Sequence, residues 1–189
     1  MERADDSDTA VAARAQAGDR QAFDQLVLRH KEPLYRLARR YVGNADDAYD
    51  IVQNSFVAAW LALKRYDPAR SFSAWIRTIT LNKCRDFTRR ESVRRKVLNL
   101  FAWEVEPAAP QDAGVSEIDR KLAELDKAIA QLPAFYKEPL LLVTVTGLSQ
   151  QEAAEQLNTT AKAIEMRIRR GKQKIAALMG VTEDVGQVR

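Results

Sequence analysis

Residues Gly147 to Leu178 read GLSQQEAAEQLNTTAKAIEMRIRRGKQKIAAL, and this stretch decides the fold. Gly147 suits a helix stop, because a residue without Cβ takes the left-handed conformation at little cost. Ser149 and Glu152 form a Ser-x-x-Glu capping box, which satisfies the orphan amides of a new helix. Ala153, Ala154 and Leu157 give that short helix a small apolar face. Asn158 tolerates a left-handed turn, and Thr159 or Thr160 can cap the helix that follows. There Ile164, Ile168, Ile175 and Leu178 share one face, while Lys162, Arg167, Arg170 and Lys174 fall mostly on others. A charged helical face is ordinarily just a solvated one. Here the stop, the box, the turn and the one-sided charge all agree on a helix-turn-helix, whose second helix enters the major groove of DNA.

The rest of the composition narrows the function. A chain of 189 residues with 46% apolar side chains supports one large or two small domains with a real core. Net charge is only +4, so the distribution carries the information. Lys83, Arg85, Arg89, Arg90, Arg94, Arg95 and Lys96 crowd one segment, and the basic helix supplies a second cluster. Two separated cationic patches suggest two contacts with one polyanion. One cysteine, Cys84, excludes an internal disulfide. With a single histidine, His30, the chain has little material for a zinc site or a Cys–His nucleophile. His30 falls on an apolar face with Phe23, Leu26, Val27, Leu34 and Leu37, which favours a packed role. No apolar run is long enough to span a bilayer, which takes about 20 residues. The acidic N-terminus is unlike a signal peptide. A cytoplasmic protein with no membrane insertion, no cofactor, no metal and no small-molecule substrate is expected.

Taken in order, Ser7 or Asp8 caps a short helix that Gly18 ends. Helical spacing resumes at Asp19 and runs to Gly43, and Pro33 is expected to kink or split it. Asn44 caps the next helix, with Asp46 and Asp47 at its positive dipole end. Val52, Phe56, Ala59, Trp60 and Leu63 form its core face. Asp46, Asp50, Gln53, Asn54 and Val57 form another, either plainly solvated or a docking face. Asp67-Pro68 marks a turn before Ser71 caps a long helix ending near Lys96. Aromatic residues beside that cationic loop are the ingredients of a single-strand site, where bases stack on rings and basic side chains track phosphates. Phe72 and Trp75 can equally be core. Residues 99–115 lose periodicity and carry Pro107, Pro110 and Gly114, so they read as a linker in which Phe101 and Trp103 can dock on a domain or partner. Ser116 and Asp119 open another helix with the stripe Ile118, Leu122, Leu125 and Ile129. Pro133 starts the next, and Pro139 should bend or delay it. The predicted fold is all-α: two small helical domains joined by a flexible linker, the C-terminal one a helix-turn-helix. The expected bounds are 1–98, a linker at 99–115, 116–180, and a tail at 181–189.

This order of parts resembles a bacterial sigma factor of the extracytoplasmic-function group. Asp46 to Phe56 is similar to that family's polymerase-gripping helix. Tyr66-Asp67-Pro68, Phe72, Trp75-Ile76 and Asn82 resemble its minus-ten segment, and Leu132-Pro133 through Leu157 resembles its minus-thirty-five-binding domain. The resemblance implies that Asp47, Asp50, Gln53 and Asn54 contact the clamp of core RNA polymerase. It implies that Lys64, Arg65, Tyr66, Arg70, Ser71, Phe72, Asn82, Lys83, Arg89 and Arg90 capture the unpaired minus-ten strand of promoter DNA. Extruding a base costs a few kcal/mol, which a preformed pocket and phosphate contacts must offset. Thr160, Lys162, Met166, Arg167, Arg170 and Lys174 would read the upstream duplex. The family also implies an anti-sigma partner and no catalysis. Lys162 to Arg167 departs from the family's commoner run, so the promoter sequence stays open. Three rivals stand beside this reading: a dimeric helix-turn-helix regulator, a decoy that titrates an inhibitor, and a nucleic-acid enzyme. A decoy would not need both basic patches. An enzyme would need metal-converging carboxylates, and Asp46, Asp47 and Asp50 have no evident second ligand set.

Overall fold

The computed structural model describes residues 7–101 and 116–181, and every regular element among them is helical. An N-terminal unit holds α1 (Asp8–Gln16), α2 (Arg20–Val42), α3 (Ala45–Ala62), a 3-10 turn (Leu63–Arg65) and α4 (Phe72–Phe101). A C-terminal unit holds α5 (Glu117–Gln131), α6 (Ala134–Thr144), α7 (Gln150–Gln156) and α8 (Ala161–Leu178). Local chemistry sets most boundaries. The Ser7 hydroxyl accepts from Ala10 N–H, Asp19 from Ala22, Asn44 from both Asp46 and Asp47, and Ser116 from Asp119. Such caps satisfy amides that have no partner inside the helix, each stabilising by about 1 kcal/mol.

Three expectations need correction. Pro33 neither splits nor ends α2, which runs unbroken through it. The proline is exposed, on the solvent side of the helix, where a missing backbone hydrogen bond costs least. The long helix α4 continues to Phe101, three residues into the expected linker; the remainder of that segment, with Trp103, and the tail beyond Val181 lie outside the described residues. Finally, only the C-terminal half of α5's apolar stripe is covered: Ile129 is buried, whereas Ile118 and Leu122 are exposed.

The core of the N-terminal unit forms where α2, α3 and α4 meet, with Leu26, Leu37, Tyr41, Ala48, Ile76 and Cys84 fully enclosed. Each large apolar side chain so buried stabilises by about 1.5–3 kcal/mol. Leu141, Leu142, Ala153, Ala154 and Ile164 fill the C-terminal unit and belong to the same continuous cluster. The two units are therefore packed against each other. Gly43, at φ 81°, closes α2 against α5, and a Cβ there would come within 3.2 Å of Ala130 Cβ.

A buried polar cluster seals this contact. Lys137 of α6 donates to the backbone carbonyls of Tyr41 (3.1 Å) and Ala130 (2.7 Å). Tyr41 donates its phenol to Glu138 (3.2 Å), which also accepts from Arg85. Arg40 of α2 pairs with Asp126 of α5. Burial pulls Lys137 down to about 8 and pushes the Cys84 thiol up to about 12. Buried charges persist only when paired or hydrogen-bonded, and each charged member of this group has a partner across the contact or beside it.

Candidate nucleic-acid and protein interfaces

The loop between the 3-10 turn and α4 is a built structure. Asp67 Oδ1 accepts from Ala69 N–H at 3.0 Å, and its carbonyl accepts from Arg70 N–H at 3.0 Å, which closes the Asp67-Pro68 turn. The Tyr66 hydroxyl donates to the Arg70 carbonyl at 2.5 Å. From α1, the Gln16 amide donates to the carbonyls of Leu63 (2.8 Å) and Tyr66 (2.7 Å), at the first residue of the turn and the one after its end. Below lies an aromatic cluster: Tyr66 and Phe72 rings meet edge to face at 5.6 Å, Trp75 tilts against both, and His30 abuts Phe72 at 5.4 Å. His30 in turn holds Asp8 at 2.7 Å.

Two of the residues expected to meet the minus-ten strand, Tyr66 and Phe72, lie beneath the loop rather than on it. Tyr66 and Phe72 are only 3% and 1% exposed, so neither ring face is open to a base. Burial also pushes the Tyr66 phenol above its usual range. Both rings hold the loop up from beneath, and Lys64, Arg65, Arg70 and Ser71 stand exposed around it. Farther along α4, Asn82, Arg89 and Arg90 lie toward the surface, with Lys83 half-buried. Asn82 accepts from Arg85 at 2.7 Å, the same guanidinium that binds Glu138 across the contact, and Arg89 pairs with Asp86 at 3.0 Å.

Along α3, Asp50, Gln53, Asn54, Val57 and Leu61 follow helical spacing on one exposed ridge. Val57 is 57% and Leu61 77% exposed, so the ridge is acidic and amide-bearing at one end and apolar at the other. Leu61 was missed from sequence, although its spacing from Asp50, Asn54 and Val57 carries the signal. Asp47 sits at the edge, half-buried. Burial, then Glu91 on α4 and the neighbouring Asp46 and Asp50, raise its carboxyl above the usual range.

The helix-turn-helix forms as its residues demand. Gly147 takes φ 73°, Asn158 φ 51°, and Ser149 and Glu152 make the reciprocal capping box. Those bonds to Ser149 hold the Glu152 carboxyl below its usual range. The Thr160 hydroxyl accepts from Ala163 N–H and is engaged as the cap of α8. Ile164 and Gly171 of α8 are buried. Opposite them, Lys162, Met166 and Arg170 face outward together with Arg169 and Gln173. Arg169 was missed from sequence, because a basic residue next to Arg170 carries no spacing signal of its own. Arg167 and Lys174 lie instead on the side of α8 that faces α6. The Arg167 guanidinium is 4.1 Å from the Phe135 ring centre and the Lys174 ammonium 5.5 Å from that of Tyr136. The first helix of the motif leans on α4: Gln156 donates to the Ala74 carbonyl (2.9 Å) and the Thr78 hydroxyl (2.5 Å). Arg77, held below its usual range by burial, reaches Gln156 at 3.4 Å.

Among the described residues no His, Cys, Asp and Glu group is arranged for a metal ion, and no helix is long and apolar enough to cross a membrane.

Comparison with known proteins follows the same two-part division. Residues 26–94 match the family model for sigma-70 region 2, and residues 122–175 that for sigma-70 region 4. The chain is 37% identical over 185 residues to the RNA polymerase sigma factor CnrH of Cupriavidus metallidurans, covering 93% of this chain and 95% of that protein. It is 30% identical over 174 residues to the ECF RNA polymerase sigma factor SigE of Mycolicibacterium smegmatis, covering 90% of this chain and 67% of that one. The solved structure of CnrH in complex with the cytosolic domain of CnrY superposes with a TM-score of 0.69 at 35% identity, over 93% of this chain and 98% of that one.

Proposed function

This chain belongs to the sigma-70 family, in its extracytoplasmic-function group, and from that premise we propose how its surfaces divide the work of starting transcription. It is an alternative sigma factor: it binds core RNA polymerase and directs initiation at specific promoters. The family is not catalytic, and this chain contributes recognition to an enzyme that it does not itself constitute. Its working compartment is the cytoplasm, where polymerase and promoter are.

In this division, the ridge of Asp50, Gln53 and Asn54, with Asp47 at its edge and Val57 and Leu61 at its end, docks on the polymerase. The braced loop presents Lys64, Arg65, Arg70 and Ser71 to the unpaired minus-ten strand, continued along α4 by Asn82, Lys83, Arg89 and Arg90. The outward face of α8 reads the upstream duplex through Lys162, Met166, Arg169 and Arg170, with Arg167 on its flank. The domain bounds follow the same logic, with residues up to about the end of α4 serving the minus-ten end and α5–α8 the minus-thirty-five end. An anti-sigma factor holds the protein in reserve; the CnrH complex with the cytosolic domain of CnrY supports that partner class.

The observation that carries this reading is the pairing, in one chain, of a rigid cation-rimmed loop with a fully capped helix-turn-helix. Run-off transcription with purified core polymerase on a promoter library tests it. The expected result is a set of start sites sharing two upstream motifs at fixed separation. Polymerase left unable to start at any specific site would overturn it.

A further inference from the structure

Phe135 occupies an unusual position for a large apolar side chain. It is the second residue of α6 and 54% exposed, so it contributes little to the core. What it does touch is specific. The Arg167 guanidinium lies over its ring at 4.1 Å, and the Tyr136 ring meets it edge-on at 5.1 Å with planes at 87°. Tyr136 in turn underlies Lys174. The two rings thus form a shelf beneath two basic side chains on one flank of α8.

The backbone makes this shelf possible. Gly171, between Arg167 and Lys174 on the same flank, is buried against α6. A Cβ there would stand 3.5 Å from both the Tyr136 Cβ and its carbonyl oxygen. The close approach brings the start of α6 under the basic side chains.

The geometry points to Phe135 as a positioning residue for duplex recognition. A guanidinium stacked on a ring uses its flat face and keeps its edge N–H groups for hydrogen bonds. One of them reaches the Thr159 hydroxyl at 3.3 Å, which fixes the fork beside the turn of the helix-turn-helix. The donors that remain form a fork suited to a phosphate oxygen pair. An arginine already held this way gives up less side-chain freedom on binding than a free one. The acceptor is a backbone phosphate of the upstream duplex, so Phe135 adds affinity without choosing sequence. This inference rests on α8 being the duplex-reading helix.

The test uses holoenzyme assembled from the full chain and core polymerase, on a promoter recovered from the library, with binding measured across a salt series. Phe135→Leu, Phe135→Trp, Arg167→Ala, Arg170→Ala and the Phe135→Leu/Arg167→Ala double variant are compared. Phe135→Leu is expected to weaken binding about three- to tenfold with the salt slope unchanged, since the charge stays. Phe135→Trp should restore it, because tryptophan offers the better cation–π face. Arg167→Ala should weaken binding and lower the slope by about one. In its background Phe135→Leu should cost nothing further. An unchanged affinity for Phe135→Leu, with Arg167→Ala still impaired, overturns the positioning role alone. So does an equal loss from Phe135→Leu with and without Arg167, since the ring would then act by itself. If neither Arg167→Ala nor Arg170→Ala alters affinity or slope, the reading of α8 falls, and the shelf falls with it.

Discussion

The guanidinium of Arg85 on α4 grips the carboxylate of Glu138 on α6 with two parallel hydrogen bonds of 2.5 Å, joining the two units of the chain. Glu138 is 7% exposed at its side chain and Arg85 43%, so the carboxylate is the partner that depends on the pair. Its hydrogen bonds hold the Arg85 guanidinium above its usual range. The same Arg85 also occupies Asn82, a residue proposed to meet the minus-ten strand. In this arrangement the unit contact and part of the proposed DNA surface draw on one side chain.

Glu138→Gln removes the charge and keeps the shape. It should weaken the packing of the two units by about 2 kcal/mol, less than for a wholly buried pair because Arg85 is partly solvated. Small-angle scattering should then report a larger radius of gyration than for the native chain, with helix content unchanged. An unaltered radius would show that the contact holds without this pair.

Gln16→Ala tests how the loop is held. The substitution strips the carbonyls of Leu63 and Tyr66 of their side-chain donor, a loss of about 1–3 kcal/mol concentrated at the loop base. Holoenzyme carrying it should bind a single-stranded minus-ten oligonucleotide several-fold more weakly, while duplex binding upstream stays as it was. Equal binding of the oligonucleotide would mean that the Tyr66–Arg70 bond and the Asp67 turn suffice alone.

For the α3 ridge, Asp50→Lys combined with Gln53→Ala reverses charge at exposed positions and should change folding stability by no more than about 0.5 kcal/mol. Affinity for core polymerase should fall about tenfold, equivalent to about 1.4 kcal/mol, as read by competition with the native chain. Undiminished affinity would leave the ridge as ordinary solvated surface.

The elements that were legible in the sequence are those whose cause is local. Asn44, Ser116, Ser149 with Glu152, and Gly147 announce helix ends within three or four residues of where they act, and each does so in the structure. The exposed face of α3 was legible for a related reason, since Asp50, Gln53, Asn54 and Val57 recur at helical spacing. Tyr66 and Phe72 were not, because an aromatic residue beside basic ones reads alike whether it faces a base or fills the space under a loop; only the contacts with His30 and Trp75 decide. The Lys137–Glu138 pair was invisible too. In a helix it looks like ordinary surface charge, and its partners Tyr41 and Arg85 lie far back in the chain. Pro33 misled in the opposite direction, since a helix tolerates proline on its solvent-facing side.

Lys137 gives the contact a pH signature. Burial depresses its pKa to about 8 from an ordinary 10.5, against the opposing pull of the Glu138 carboxylate. Above pH 8 the folded chain therefore sheds this proton while the unfolded chain keeps it, so the unfolded state binds more protons and stability rises with pH. That contribution is complete above 10.5 and lost as pH falls through 8. Cys84 limits the window. Its thiol, pushed up to about 12 by burial, stays protonated when folded but begins to ionise near 9 when unfolded, which lowers stability at higher pH. Between pH 8 and 9 Lys137 should dominate and raise unfolding free energy by about 1 kcal/mol. Lys137→Met abolishes the titrating group, so the urea unfolding free energy of that variant should lack the rise whatever its absolute value. An equal rise in the native chain and in K137M would show that the buried ammonium is not the group that titrates.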